Sequence, residues 1–212
     1  MQQWVVERGT LWALEPHGGL PPLCSARIEV EFMELGVGEI DDLTVVMKLP
    51  SPELIQQRLE RNRRCFLLRA DGRIVTYGWV THGLEYVGEL ERTFQLGNDE
   101  AYIWDCGTIP AQRGQRCYSA LLSQIIYRLQ GEGTSRIWIG ASRHNKPSIR
   151  GFANSGFQPV IDLTYRRFYN LTVLRFREAP TAVSHLVTAA YRILLNDHER
   201  CFGRLALGYR RQ

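Results

Sequence analysis

Apolar and polar residues alternate with a period of two through the first half of the chain, then repeat at 3.6, a switch that separates strands from helices. Residues 26–35 (ARIEVEFMEL) alternate like a strand. Ser51-Pro52 opens a helix through Leu54, Ile55, Arg58 and Leu59, and residues 65–80 form a hairpin turned at Asp71-Gly72, a pair suited to the left-handed turn. Residues 101–109 (AYIWDCGTI) read as a further strand, in which Gly107 marks a bulge or a close backbone approach. After Pro110, Tyr118, Leu121, Leu122, Ile125, Ile126 and Leu129 share one face of a helix that Gly131 and Gly133 end.

Residues 136–140 (RIWIG) make a short apolar strand, Pro147 suits the first turn of another helix and Gly156 its exit. Residues 157–161 and 164–176 read as two closing strands. A last helix, capped by Thr181, carries Val183, Leu186, Val187, Ala190 and Leu194 on one stripe. That stripe suits core burial or a homodimer contact better than a cofactor box. Residues 1–25 hold one strand at 4–6 and a Gly/Pro-rich connector at 16–22. The expected division is an N-terminal extension (1–25) laid against a main domain (26–176), then a C-terminal helical extension (177–212).

Composition narrows the class. At 212 residues, 44% hydrophobic and 23% charged, the chain is ordinary for a soluble globular protein. Its net charge of +4 is too mild to imply nucleic acid where the arginine runs lack a binding motif. Five cysteines, Cys24, Cys65, Cys106, Cys117 and Cys201, stand far apart with no C-x-x-C pair. This argues against a disulfide framework or a metal site and for a reducing cytoplasm. No apolar run approaches the roughly 18 residues a bilayer needs, so neither secretion nor membrane insertion is expected.

The chemistry is expected in residues 108–122 (TIPAQRGQRCYSALL) and 145–157 (NKPSIRGFANSGF). A strand that turns sharply into a helix leaves the first amides without intrahelical partners. The helix dipole adds about half a positive charge there, and Arg113 and Arg116 add two full ones, so an anion suits the turn; a helix start wetted by water, with both arginines merely exposed, is the other reading.

Pro110-x-x-Arg113-Gly114, running on to Leu121-Leu122, together with Asn145-x-x-Ser148-Ile149-x-x-Phe152-x-x-x-Gly156-Phe157, resembles the two signature segments of the GNAT superfamily of N-acetyltransferases. The resemblance covers residues 26–176. It implies an α/β fold with a GNAT-like mixed, mainly antiparallel sheet flanked by helices, and an acyl-CoA cofactor, acetyl-CoA or another acyl-CoA. The pyrophosphate would rest on Arg113, Gly114, Gln115, Arg116, Cys117, Tyr118 and Ser119. The pantetheine arm would pair like an added strand with the backbone of Gly107, Thr108 and Ile109, and Asn145 and Phe152 would face the cofactor. Asn145 would also serve as a helix cap.

Three positions depart from the family pattern. Arg116 stands where the turn's middle glycine belongs, as a phosphate ligand or as a lesion, and Tyr118 stands at the turn's last position, where it can lie on the apolar stripe. Phe152 replaces a tyrosine that can protonate the departing thiolate. The implied activity is N-acyl transfer, most often acetyl, to a small-molecule amine such as an amino sugar or amino acid; the rival is a non-catalytic GNAT-like module that binds CoA or another ligand. Asp105 is the candidate general base, ahead of Glu89 and Glu91. Strand alternation sets it on the face of Ile103 and Gly107 unless a bulge intervenes, and a structural carboxylate paired with an arginine is the other reading. A backbone N–H near Thr108 would meet the oxyanion. Cys106 and Cys117 read as small buried hydrophobes rather than nucleophiles, and His144 as a solvated loop residue or a substrate contact.

Overall fold

The computed structural model describes residues 5–16, 19–168, 171–195, 201–202 and 205–209. The chain begins with β1 (Val5–Leu14), β2 (Glu31–Glu34), α1 (Ile40–Met47), α2 (Glu53–Glu60), β3 (Arg64–Ala70) and β4 (Arg73–Thr81). A small hairpin, β5 (Leu84–Val87) and β6 (Arg92–Gln95), precedes β7 (Glu100–Thr108), α3 (Cys117–Gly131), β8 (Arg136–Ser142) and α4 (Lys146–Asn154). It closes with β9 (Gln158–Phe168), β10 (Leu171–Glu178), α5 (Ser184–Leu194), β11 (Cys201–Phe202) and β12 (Leu205–Tyr209). The main sheet runs β11-β12-β10-β9-β1-β8-β7-β4-β3-β2. Within it only β7 and β8 pair in parallel among the described residues.

Alternation along the strands assigns the two faces. On β3, Phe66 and Leu68 join the cluster under α3, whereas Cys65 and Leu67 join the one under α1 and α2. The predicted stripe of α3 is buried, with Leu121, Leu122, Ile125 and Leu129 fully excluded from solvent. Each such side chain contributes roughly 1.5–3 kcal/mol by leaving water. The stripe of α5 is core as well: Leu186, Val187, Ala190 and Leu194 pack with Trp138, Val160 and Phe176. Helices α3 and α4 thus cover one face, and α1, α2 and α5 the other. Among the described residues no helix is long and apolar enough to cross a membrane.

Three expectations are corrected. Residues 5–14 are not laid against the domain: β1 is an internal strand, paired with β8 from Gly9↔Ser142 to Leu14↔Ile137 and with β9 on its other side. Gly9 permits this insertion, since a Cβ there would stand 3.1 Å from the Ala141 carbonyl oxygen. The segment after residue 177 is not wholly helical, because β12 returns to pair with β10. Helix α5 begins at Ser184 rather than beside Thr181; a turn closed by the Ala182 N–H on the Ala179 carbonyl (3.0 Å) takes up those residues first.

Candidate active site

Strands β7 and β8 pair from Glu100↔Arg136 only as far as Ile103↔Ile139. Beyond that point they part, and among the described residues the edge of β7 facing β8 has no strand partner. A bulge lies at the same place: Tyr77 pairs with Gly107 and Trp79 with Trp104, so Asp105 and Cys106 oppose Gly78 alone. Asp105 takes the extra turn at φ 41°, in the left-handed region where a non-glycine residue is strained. The bulge re-aims the side chains. Asp105 therefore shares a face with Gly107 but not with Ile103.

On that face Asp105 Oδ2 accepts a hydrogen bond from Arg58 Nη1 at 2.6 Å. The Arg58 guanidinium lies over the rings of Trp79 and Trp104, 4.9 and 4.8 Å from their centroids, which fixes it by cation–π contact. Sequence reasoning set Arg58 on a helix with no role; a partner 47 positions away leaves no local signal. Cys106 turns to the other face, where its sulfur would stand 3.0 Å from a Cβ placed on Gly78. Burial, and then the Asp105 charge, push its thiol up to about 12. Cys117 is buried in the α3 core, and burial raises its thiol too. Both cysteines are thus poor nucleophiles.

The two sides meet in a cleft of about 640 Å³ that passes between the parted strands. Trp104, Asp105 and Cys106 form one wall and Gly140, Ala141 and Ser142 the other; Tyr118, Asn145, Ser148 and Phe152 line it from α3 and α4. Arg58, Tyr86 and Glu89 line the opposite end, beside the β5–β6 hairpin. Glu91, the third candidate base, is drawn away to Arg167 and Thr172. His144 is exposed and does not line the cleft.

The turn before α3 supplies donors. Residues Pro110–Gln112 form a single 3-10 turn, Arg113 is extended, Gly114 has φ 81° and Arg116 caps α3 at φ 60°. Among the described residues, the N–H groups of Gly114, Arg116, Cys117, Tyr118 and Ser119 have no backbone acceptor. Open space surrounds Gly114. Arg116 adopts the backbone of the glycine it replaces, at a cost of about 1–2 kcal/mol for an L-residue. Arg27 adds a cation that its sequence context did not reveal: its N–H donates to the Gln115 carbonyl (2.8 Å) and its guanidinium to that of Gly114 (3.5 Å).

The remaining predicted residues divide. Asn145 Oδ1 accepts from the Ser148 N–H at 3.2 Å, which makes it the N-cap of α4. Gly107 leaves room for Tyr77, whose ring would lie 2.6 Å from any added Cβ, and Thr108 faces Thr76, hydroxyl to hydroxyl at 3.3 Å. Ile109 corrects the expected set of pantetheine contacts. Its N–H donates to the Val75 carbonyl and its own carbonyl accepts from the Gln112 N–H, both at 3.0 Å, because the strand curls into the turn there.

A sequence profile described as the acetyltransferase (GNAT) family matches residues 37–157, more than half of the 212 residues. The chain belongs to the GNAT family of acetyltransferases, which generally uses acetyl-CoA. No curated protein matches it in sequence. Solved structures of the same fold include a GNAT-family acetyltransferase of Novosphingobium aromaticivorans, 16% identical at a TM-score of 0.55, with 82% of this chain and 66% of that one covered. Another, from Colwellia psychrerythraea, is 11% identical at a TM-score of 0.55 over 84% and 58%. A glucosamine N-acetyltransferase region in a fungal multi-domain β-N-acetylglucosaminidase is 13% identical at 0.61, over 78% of this chain and 21% of that one. The chain thus spans just under two thirds of the first of these proteins and less of the other two.

Proposed function

We propose that the protein is an acyl-CoA-dependent N-acyltransferase that transfers an acetyl group to the amine of a small molecule such as an amino sugar or amino acid. One observation carries the reading: a turn whose amides have no backbone acceptor among the described residues, flanked by Arg27, Arg113 and Arg116, follows directly on the edge of β7 that parts from β8 beside Asp105. The donors of the turn suit a pyrophosphate, and the free edge of β7 at Gly107 and Thr108 suits an extended amide-bearing arm. The cofactor would supply an acyl thioester at the bulge.

There this chain's residues do the rest. The cleft holds the acceptor against the acyl carbon, and proximity provides much of the rate. Asp105 Oδ1, the oxygen Arg58 does not hold, takes the proton the amine sheds as nitrogen bonds to carbon. Neutral or cationic amines fit beside the aromatic and acidic side chains Tyr86, Trp104 and Glu89. Thiol release from acetyl-CoA, measured against a panel of amino sugars, amino acids and polyamines, tests the reading. Turnover on at least one amine supports it. CoA binding without turnover across the panel would favour the non-catalytic module, to which Phe152 and Arg116 lend support.

A further inference from the structure

We propose that Tyr118, reaching across from α3, is the hydrogen-bond donor that meets the sulfur of departing CoA, in place of the hydroxyl that Phe152 lacks. The inference rests on the CoA reading above and adds a catalytic residue to it. Three observations place the phenol. Phe152 is buried, with a ring that packs edge-on against Trp12 (5.9 Å) and beside Phe157 (6.2 Å). That position of α4 is therefore built into the core and offers the cleft no proton. Tyr118 lies next to it, with ring centroids 6.5 Å apart.

The path of the Tyr118 ring depends on one missing atom. A Cβ on Gly151 would stand 2.9 Å from Tyr118 Cε1 and 3.0 Å from Cδ1, so only glycine there lets the ring lie over α4. Laid that way, its hydroxyl interacts with the Ser148 hydroxyl and the Cys106 thiol, all three side chains lining the same cleft beside the bulge. The apolar stripe of α3 accounts for the ring but not for the hydroxyl, which meets polar side chains on the cleft wall. Burial raises the phenol well above its ordinary value. It keeps its proton through the neutral range, so its part is to hold a hydrogen bond on sulfur rather than to act as an acid.

Nitrogen bonds to the acyl carbon, the carbon–sulfur bond breaks, and its electron pair stays on sulfur. The amine's proton passes to Asp105 Oδ1 and then to solvent. Sulfur leaves as a thiolate holding the Tyr118 O–H, and solvent protonates it after release.

Tyr118→Phe removes one oxygen and keeps the ring, so the fold is retained. The decisive readout needs no turnover: the ultraviolet absorbance of the thiolate is titrated for CoA bound to each protein. The expected result is a bound thiol whose pKa lies about one unit higher in Tyr118→Phe, the shift that corresponds to a tenfold weaker hold on the thiolate. Affinity for desulfo-CoA should be the same in both. With acetyl-CoA the variant should lose about tenfold in kcat at unchanged KM, and the loss should vanish with an acetyl thioester of a more acidic thiol, which needs no help to leave. Equal thiol titrations, or an equal loss of affinity for CoA and desulfo-CoA, would overturn the role and leave the acyltransferase reading intact. Failure of the wild type to bind CoA would remove both.

Discussion

Arg58 holds Asp105 at 2.6 Å on one face of the sheet bulge, and the two together set the chemical character of the cleft. One carboxylate oxygen is engaged and the other is open, so the pair can steady the carboxylate without covering it. Asp105→Asn keeps the shape and the hydrogen-bonding oxygen but gives up the base. It should lower kcat by about 10²- to 10⁴-fold. The pair is a third exposed at Asp105, so stability should change by no more than about 1 kcal/mol. A change in kcat of less than about threefold would reduce Asp105 to a structural partner of Arg58.

Arg116 separates strain from binding. With φ 60° at the helix cap, Arg116→Gly should stabilise the fold by about 1 kcal/mol, which raises Tm by roughly 2–4 °C for a chain of this size. Arg116→Ala keeps the strain and should gain nothing. Both remove the guanidinium, and both should weaken CoA binding several-fold and make it less sensitive to salt. Calorimetry showing wild-type affinity in both variants would end the ligand role.

Gly107 tests why a glycine sits at the bulge. Gly107→Ala must displace the Tyr77 ring, which stands 2.6 Å from the new Cβ. Overpacking of this kind costs typically 1–3 kcal/mol. The double variant Gly107→Ala with Tyr77→Leu should recover part of that loss in chemical denaturation. An equal loss in both would place the cost in the cleft or the backbone and not in the Tyr77 contact.

Arg64 anchors a surface network with a defined pH response. It donates to Glu34 and Glu132 at 2.7 and 2.6 Å, and that hydrogen bond holds the Glu132 carboxyl below its ordinary value of 4.5. A group lowered in the folded state stabilises it above the unfolded value, and the gain disappears as pH falls through the folded one. Glu132→Gln should therefore cost up to about 1 kcal/mol at pH 7 and nothing at low pH, once the wild-type carboxyl is protonated. A urea series that finds the same difference at both ends would contradict the linkage.

Local pattern carried the parts of this molecule whose causes are local. The stripe of α3, the Asp71-Gly72 hairpin and the turn at Arg113 and Gly114 depend on residues within a few positions of one another. The bulge at Asp105 does not. Alternation along 101–109 has no feature that distinguishes a strand with one extra residue, because the register is set by β4 across the sheet. Arg58 and Tyr118 were legible as helix residues, but their roles follow from contacts with Asp105 and with the gap at Gly151. Arg27 belongs to the same class.

β1 is the largest case, and it yields the last prediction. Glu7, Arg8 and Gly9 interrupt the apolar pattern, so only residues 4–6 read as strand, yet the strand pairs with β9 from Val5 to Ala13 and with β8 from Gly9 to Leu14. It bridges β8 and β9, and Leu11 and Ala13 are buried in the core that α5 covers. Removing it would expose that core and leave both neighbouring strands with open edges, which invite aggregation. A chain beginning at Ser25 should therefore fail to unfold cooperatively and should collect in the insoluble fraction. Gly9→Val should act in the same direction more mildly, by crowding the Ala141 carbonyl. A soluble truncated chain with a sharp melting transition and retained CoA binding would restore residues 1–25 to the status of an extension.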